Sequence, residues 1–255
     1  MRKEWGQEPE MNSLLIEVCV DSMESARAAV RGGADRLELC ANLIIGGTTP
    51  SPYLIQEASA LGVPVNVLIR PRFGDFLFSQ DEKEEQIESI ASLKRLGASG
   101  AVVGALTPQG DLDLAFLRAC REAAEGLHLT LHRAFDVCRN PEEALLQAME
   151  IGFDTILTSG QKKTAAEGAG LIARLVELAG GRIAIMPGSG VNSRNIAALR
   201  GQTGADVFHL SAKKTVSSAM AFRREGVPMG LEMMSEFERF VTDEHEVRAA
   251  RAALG

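Results

Sequence analysis

Short apolar segments alternate with longer amphipathic stretches along almost the whole chain. The short segments are rich in Val, Ile and Leu, which favours strands. The longer stretches repeat apolar residues three and four positions apart, which favours helices. Eight strands are predicted, within residues 14–20, 36–40, 65–71, 100–106, 129–135, 155–160, 182–190 and 207–212. Because eight strand–helix units are the number that closes a (β/α)8 barrel, we predict this α/β TIM-barrel fold, with an open doubly wound sheet as the alternative.

Residues at the helix ends support this division. Asp21 and Ser22 are suited to cap the first helix, and Pro141 suits the first turn of a later one. Glycine favours the left-handed conformation that ends many helices. We therefore expect helices to stop at Gly97, Gly152 and Gly204.

Both ends of the chain depart from the repeating pattern. Residues 1–12 are polar and predict a flexible tail, and the barrel domain is predicted over residues 13–215. Residues 216–255 are expected to form an extension that packs on the barrel. After the eighth strand we predict a long loop over 213–230 and a terminal helix over 243–254.

Composition narrows the classes of partner. The 255 residues carry a net charge of −7, so no overall positive field attracts nucleic acid or an anionic membrane. No apolar run approaches the ~20 residues of a membrane span, and the first residues lack the apolar core of a secretory signal. Four cysteines without a C-x-x-C motif do not indicate a disulfide scaffold. We expect a cytoplasmic protein with reduced thiols.

The alternation inside each strand predicts which side chains face the barrel interior. Positions that face the surrounding helices must be apolar, and in a closed barrel the remaining positions face inward. Leu37 and Leu39, for example, face the helices, which leaves Glu38 inside. The polar and thiol side chains predicted to face inward are Glu17, Cys19, Glu38, Cys40, Asn66, Arg70, Thr130, His132, His209 and Ser211.

Five of these inward side chains are ionisable and form the candidate catalytic set. Charged groups are rarely buried without partners, and the polar region of a TIM barrel is its C-terminal mouth, where active sites lie. We therefore place the set there. Two structural alternatives remain: a salt-bridge network of Arg70 with Glu17 or Glu38 that fills the barrel, and a histidine that only serves the core. The candidate residues are Glu17, Glu38, Arg70, His132 and His209.

Two thiols form a second candidate group. Cys19 and Cys40 follow the glutamates on the first two predicted strands, which places them nearer the rim. Neighbouring strands are ~4.8 Å apart, so two thiols at similar height can reach one soft ion, and thiolates prefer Cu(I) or Zn(II). The alternative is that both are small apolar core residues, as buried cysteines usually are.

Two loops near the end of the predicted barrel suggest an anion site. Gly188 and Gly190 lie in a turn that leads to a helix start capped by Asn192 or Ser193. Free amide groups at a helix start attract anions, and the loops after strands seven and eight form the usual phosphate site of TIM barrels. Ser211 and Lys213 follow the eighth strand and complete this candidate ligand-binding set. A tight turn without a ligand is the alternative.

The sequence resembles the CutC family of copper homeostasis proteins. The resemblance rests on the segments EVCVDS, GGADRLELCANL, GGTTPS, HRAFD, LTSG, MPGSGV and FHLSA, which follow one another over about residues 15–230. It implies a TIM barrel, a cytoplasmic location and Cu(I) binding at the residues that match the family's two cysteines, Cys19 and Cys40. The polar mouth residues match as well.

A second hypothesis follows from the charged residues themselves. The protein is then an enzyme that acts on a small anionic or phosphorylated metabolite. Arg70 orients the anion, one of Glu17 and Glu38 acts as a base, and His132 or His209 transfers protons. A homodimer is the expectation from the fold class.

Overall fold

The computed structural model describes residues 14–224, 226–227, 229 and 235–255. The tail predicted over residues 1–12 lies outside the described residues. The strands of the main sheet are β1 (Leu15–Val20), β2 (Arg36–Leu39), β3 (Val65–Leu68), β4 (Gly100–Val103), β5 (His128–Leu131), β6 (Thr155–Thr158), β7 (Ala184–Pro187) and β8 (Val207–Leu210). After β1 to β7, in turn, come α1 (Met23–Gly32), α2 (Pro52–Ser59), α3 (Gln80–Ser92), α4 (Leu114–Ala123), α5 (Pro141–Ile151), α6 (Ala169–Ala179) and α7 (Ile196–Thr203).

The sheet is parallel and its order is β7-β6-β5-β4-β3-β2-β1-β8. β1 pairs with both β2 and β8, and β7 lies beside β8, which closes the sheet into a barrel. An open doubly wound sheet does not bring its first and last strands together in this way. The prediction of a TIM barrel is therefore confirmed.

The apolar core lies between the strands and the surrounding helices. Ile16, Val18, Leu37, Leu39 and Phe208 all point outward from the barrel and are fully buried. Burial of such a side chain contributes about 1.5–3 kcal/mol to folding. This outward apolar layer fixes the register of each strand and leaves the alternate positions to face the barrel axis.

The helix ends follow most of the predicted signals. The Ser22 hydroxyl caps α1 by accepting a hydrogen bond from the Ser25 amide, and α5 begins at Pro141. Gly152 and Gly204 end α5 and α7 in the left-handed conformation, with φ values of 91° and 69°. These predictions are confirmed, whereas the predicted end at Gly97 is wrong because α3 already stops at Ser92.

Several strands end earlier than the sequence predicts. β3 stops at Leu68 and β5 stops at Leu131. Arg70 and His132 therefore lie in the loops just beyond the strands, at the C-terminal mouth of the barrel. This shortening moves polar side chains from the packed interior to the place where ligands bind in this fold.

The chain after β8 forms a two-stranded sheet and a last helix. β9 (Lys213–Ser217) pairs in antiparallel fashion with β10 (Glu238–Thr242), so the loop predicted over 213–230 is wrong for its first five residues. α8 (Glu244–Leu254) packs against α1, with Val247 buried. The division between barrel and extension at residue 216 stays a prediction. Within the described residues no helix has the length and apolar character needed to cross a bilayer.

Candidate metal and ligand site at the barrel mouth

A cavity of about 400 Å³ opens at the C-terminal mouth of the barrel. This volume is at the lower end of the range for small-molecule sites. Strand ends and the loops after them supply its walls, as the barrel fold requires. The sequence-predicted site residues that line it are Cys19, Glu38, Arg70, His132, Gly190, His209, Ser211 and Lys213.

Glu17 lies below this cavity and is fully buried between two cationic partners. The strand register places Glu17 opposite Arg36 on β2 and opposite His209 on β8. Arg36 Nε donates to Glu17 Oε2 at 2.6 Å, and His209 Nδ1 lies 2.8 Å from Glu17 Oε1. Both carboxylate oxygens are therefore occupied, and Glu17 supports the site from behind without reaching the cavity.

Electrostatics in this network separate the two glutamates. Burial by itself raises the pKa of Glu17, but the charge of Arg36 and the hydrogen bond with His209 outweigh it and lower this pKa to about 2. Burial raises the pKa of Glu38, and repulsion from Glu17 adds to it against the attraction of His209. The same barrel interior therefore lowers the pKa of the Glu17 carboxyl and raises that of Glu38.

The third member of the network is His209. Burial lowers the pKa of His209, but its interactions with Cys19, Glu38 and Glu17 raise it well above the ordinary value. Glu17 holds Nδ1 in place, and Nε2 lies 3.8 Å from Glu38 Oε2. A carboxylate on one ring nitrogen is the usual support for a histidine whose other nitrogen binds a metal.

Cys19, Glu38 and His209 form a group that could hold a metal ion. One ligand atom from each side chain lies within 4.8 Å of the others, and all three side chains are buried. Thiolate and imidazole suit Cu(I) or Zn(II), whereas the carboxylate is a harder ligand. The donor set therefore fits a soft or borderline cation.

Cys40 lies on the other side of Glu38. Its Sγ is 3.5 Å from Glu38 Oε2, and its side chain is fully buried against Leu68 and Val102. Burial raises the pKa of Cys40 well above the ordinary value, and the charge of Glu38 adds to this effect. The parallel register sets Cys19 opposite Glu38, so both thiols of the predicted copper pair lie near this carboxylate.

Arg70 binds backbone groups and does not pair with either glutamate. Its guanidinium donates to the carbonyl oxygens of Gly46 and Gly47 at 3.3 and 3.1 Å and to that of Gly74 at 2.7 Å. The predicted salt-bridge network of Arg70 with Glu17 or Glu38 is therefore wrong. Arg36 pairs with Glu17 instead, because the strand register places these two residues side by side.

His132 is a neutral histidine at the start of a short 3₁₀ turn over Arg133–Val137. Its Nδ1 accepts a hydrogen bond from the Ala134 amide at 3.1 Å, so the ring proton lies on Nε2. Burial and the positive charge of Arg70 lower the pKa of His132 to about 3. Gly104 makes room for the ring, since a Cβ there would come within 2.5 Å of it.

The predicted anion loops reach the mouth only in part. Gly190, Ser211 and Lys213 line the cavity, whereas Gly188 packs closely beside His209 on the neighbouring strand. α7 begins at Ile196 and Asn195 is its N-cap residue, so the predicted cap at Asn192 or Ser193 is wrong.

An internal carboxylate takes the place of the expected anion. The amide and hydroxyl of Ser193 both donate to Glu246 of α8, at 2.7 and 3.0 Å. The turn before α7 therefore binds this carboxylate, which fastens the last helix to the barrel.

Sequence reasoning missed two side chains of the site. Arg36 alternates with the leucines of β2 in the same way as Glu38, and this pattern alone was enough to place it inside. Phe76 comes from the loop after β3, where no periodicity applies. The centroid of its ring lies 4.9 Å from the centroid of the His132 ring and 5.0 Å from Arg70 Cζ.

Fold and site together define a TIM barrel with a soft-metal donor group and a small-molecule cavity at its mouth. The family model described as the CutC family matches residues 14–214. The chain belongs to the CutC family.

Named relatives and a solved structure agree with this membership. The chain is 49% identical over 238 residues to a CutC family protein of Parabacteroides distasonis, which covers 92% of this chain and 98% of the relative. It is 45% identical over 249 residues to the human protein named copper homeostasis protein cutC homolog, covering 97% and 91% of the two chains. A crystal structure of CutC from Streptococcus agalactiae superimposes with a TM-score of 0.75 and 33% identity, over 78% of this chain and 98% of that one.

Proposed function

We propose that this protein serves copper homeostasis in the cytoplasm by binding Cu(I) at the barrel mouth. The observation that carries the proposal is the convergence of Cys19, Glu38 and His209 donor atoms within 4.8 Å. The names of the human and bacterial relatives point to copper. All four cysteines are free thiols, which suits a reducing compartment.

Cys19 and His209 are the soft and borderline donors of this group, and both line the cavity together with Glu38. A thiolate and an imidazole nitrogen are ligands that Cu(I) accepts readily. Glu17 fixes the His209 ring through Nδ1, so Nε2 is the nitrogen that points to the metal. Glu38 lies beside both donors and can take up a proton when the thiol loses one.

Cys40 supplies the second thiol of the proposed copper site. Its Sγ is buried and contacts the Glu38 carboxylate at 3.5 Å. Because its pKa is raised, Cys40 remains protonated until a metal displaces the proton. We propose that Cys19 binds copper first and that Cys40 completes the site when Glu38 moves aside.

Anaerobic titration of the reduced protein with Cu(I), in competition with a chromophoric chelator, tests the proposal. We expect stoichiometric binding to the native chain. Cys19→Ser should abolish high-affinity binding, Cys40→Ser should weaken it, and the double variant should not bind. His209→Asn should also weaken binding, because it removes the imidazole donor.

Two other cysteines provide matched controls. Cys120 lies on α4 and Cys138 follows the 3₁₀ turn after β5, and neither lines the cavity. Cys120→Ala and Cys138→Ala each remove one thiol without touching the mouth, so both should bind Cu(I) as the native chain does. Unchanged Cu(I) affinity in the Cys19→Ser, Cys40→Ser double variant contradicts the proposal.

A further inference from the structure

Two buried N–H donors in the mouth cavity have no hydrogen-bond partner among the described residues. They are Nε of Arg70 and Nε2 of His132. Both side chains line the cavity, and each is more than nine-tenths buried, with exposed fractions of 6% and 5%. Buried donors are almost always paired, because an unpaired one loses its hydration without replacement. Both donors can therefore take an acceptor from a molecule bound in the cavity.

Both donors are fixed in orientation by the backbone. The terminal nitrogens of Arg70 are held by the carbonyl groups of Gly46, Gly47 and Gly74, so its Nε–H cannot turn to another partner freely. The Ala134 amide occupies Nδ1 of His132 and leaves the N–H on Nε2. Phe76 contacts both side chains and links them into one wall of the cavity.

The charges of the cavity favour an anion. Arg70, Arg133 and Lys213 line it, against a single carboxylate, that of Glu38. This positive lining is local, since the whole chain carries a net charge of −7. Apolar side chains complete the walls, which suits a ligand with a short hydrocarbon part. The apolar lining residues are Leu43, Leu68, Phe76, Leu157, Val191 and Leu210.

A carboxylate fits this wall better than a phosphate does. Two single N–H donors match the oxygen atoms of a carboxylate or of a neighbouring carbonyl group, whereas a phosphate has three oxygens to satisfy. The turn at Ser193, where a phosphate was expected, already binds Glu246.

We propose that Arg70 and His132 form a binding subsite for the carboxylate of a small 2-oxo or other short-chain organic acid. His132 donates as a neutral imidazole, and Arg70 supplies one hydrogen bond and the positive charge. Both nitrogens are buried, and the Phe76 ring lies against both side chains. Arg70 and His132 line the same cavity as Cys19 and His209, but neither of the latter is used in the subsite, so this proposal does not rest on the copper proposal.

Thermal unfolding and calorimetry with four probes test the subsite. The probes are 4-methyl-2-oxopentanoate, pyruvate, inorganic phosphate and the neutral ketone 4-methyl-2-pentanone. We expect 4-methyl-2-oxopentanoate to raise the Tm by about 3 °C at ten times its Kd. Pyruvate should bind more weakly, since it lacks the hydrocarbon part. Phosphate and the neutral ketone should produce no shift.

Substitutions of His132 and Arg70 test whether these two donors bind the acid. His132→Asn keeps an acceptor for the Ala134 amide but removes the Nε2 donor, and it should weaken binding of the acid at least tenfold. Arg70→Lys should do the same, and His132→Asn keeps the test decisive if the arginine variant fails to fold. Arg139→Lys changes an exposed arginine paired with Asp111 and should bind like the native chain.

Three outcomes contradict the proposed subsite. It fails if no acid stabilises the protein at 50 mM, if phosphate or the ketone binds as well as the acid, or if His132→Asn binds normally. Cys19→Ser separates the two proposals, because it should lose Cu(I) while it keeps the acid. A protein that binds the acid without Cu(I), or Cu(I) without the acid, therefore supports one proposal and contradicts the other.

Discussion

Buried residues of the same type differ in pKa because the charged groups beside them differ. Glu17 and Glu38 face the same barrel interior, yet Arg36 contacts only Glu17. His132 and His209 are likewise both buried, but His209 has two carboxylates beside it and His132 has Arg70. Hence Glu17 stays ionised, and one histidine favours the charged form while the other favours the neutral form.

The neutral state of His132 predicts a pH-dependent stability. Its pKa is about 3 in the folded protein and 6.5 in an unfolded chain, so only the unfolded state takes up a proton between these values. The free energy of unfolding should therefore fall by about 1.4 kcal/mol per pH unit, from this group alone, as the pH drops below 6.5. Urea unfolding at pH 7.5, 6.5, 5.5 and 4.5 measures this slope. His132→Asn should show a slope smaller by this amount, and equal slopes contradict the prediction.

Loss of the Glu17 carboxylate should destabilise the barrel strongly. Glu17→Gln leaves the buried Arg36 guanidinium without a counter-charge, which costs about 3–5 kcal/mol. Denaturant unfolding at pH 7.5 measures the loss. Glu150→Gln removes one partner of the exposed Arg118–Glu150 pair and serves as the control, with a far smaller effect. A similar small loss in both variants shows that Arg36 finds another partner.

At the scale of elements, the last helix completes the ring around the barrel. α8 packs on α1 and contacts α7, and Glu246 fastens it to the turn before α7. Gly32, the last residue of α1, allows close contact: a Cβ there would lie 2.6 Å from Val247 Cβ and 2.8 Å from the Glu244 carbonyl oxygen. α8 is therefore fitted to the barrel surface by shape as well as by charge.

Gly32→Ala should loosen this contact. The added methyl group overlaps Val247 and the α8 backbone, and overpacking of this kind costs about 1–3 kcal/mol. Hydrogen exchange should show faster exchange in α8 and α1, and thermal unfolding should give a lower Tm. Gly170→Ala on α6 is the matched control, because its Cβ meets nothing within 4 Å. A stable Gly32→Ala variant with unchanged exchange contradicts the close fit.

At the scale of the whole molecule, the barrel positions chemistry from distant parts of the sequence. Cys19 and His209 are 190 residues apart and meet because β1 pairs with β8. A ligand bound by both residues joins the first and the last strand of the barrel. Ligand binding and barrel stability are therefore linked.

Cu(I) should raise the melting temperature of the native protein. At about 100 times its Kd, a ligand specific for the folded state adds ~2.7 kcal/mol, which corresponds to a Tm increase of about 5–10 °C for a domain of this size. Anaerobic differential scanning calorimetry with and without Cu(I) measures it. Cys19→Ser should show no increase and Cys120→Ala the full one. An equal increase in both variants indicates copper bound elsewhere.

The expected homodimer remains a prediction of the fold class. Sedimentation equilibrium of the reduced protein tests it directly. A mass of 27.3 kDa indicates a monomer and twice that mass a dimer. Both ligand proposals use residues of one chain and invoke no residue of a second copy.

The barrel fold, and the direction in which the side chains of each strand point, could be predicted from the sequence. Eight strand–helix units fix the closure, and apolar outward positions such as Leu37 and Leu39 leave Glu38 inside, because helix-facing positions exclude charge. What the alternation cannot supply is the height of each side chain, since the stagger between neighbouring strands depends on the shear of the closed sheet.

The contacts between side chains from different strands and loops followed only from the tertiary structure. The register joins Glu17 to Arg36 and His209, sets Cys19 opposite Glu38, and leaves Arg70 to bind loop carbonyl groups. The loop after β3 places Phe76 against Arg70 and His132. The packing of α8 places Glu246 at the turn where an anion was expected. Periodicity reports local exposure, whereas these contacts depend on distances between segments far apart in the chain.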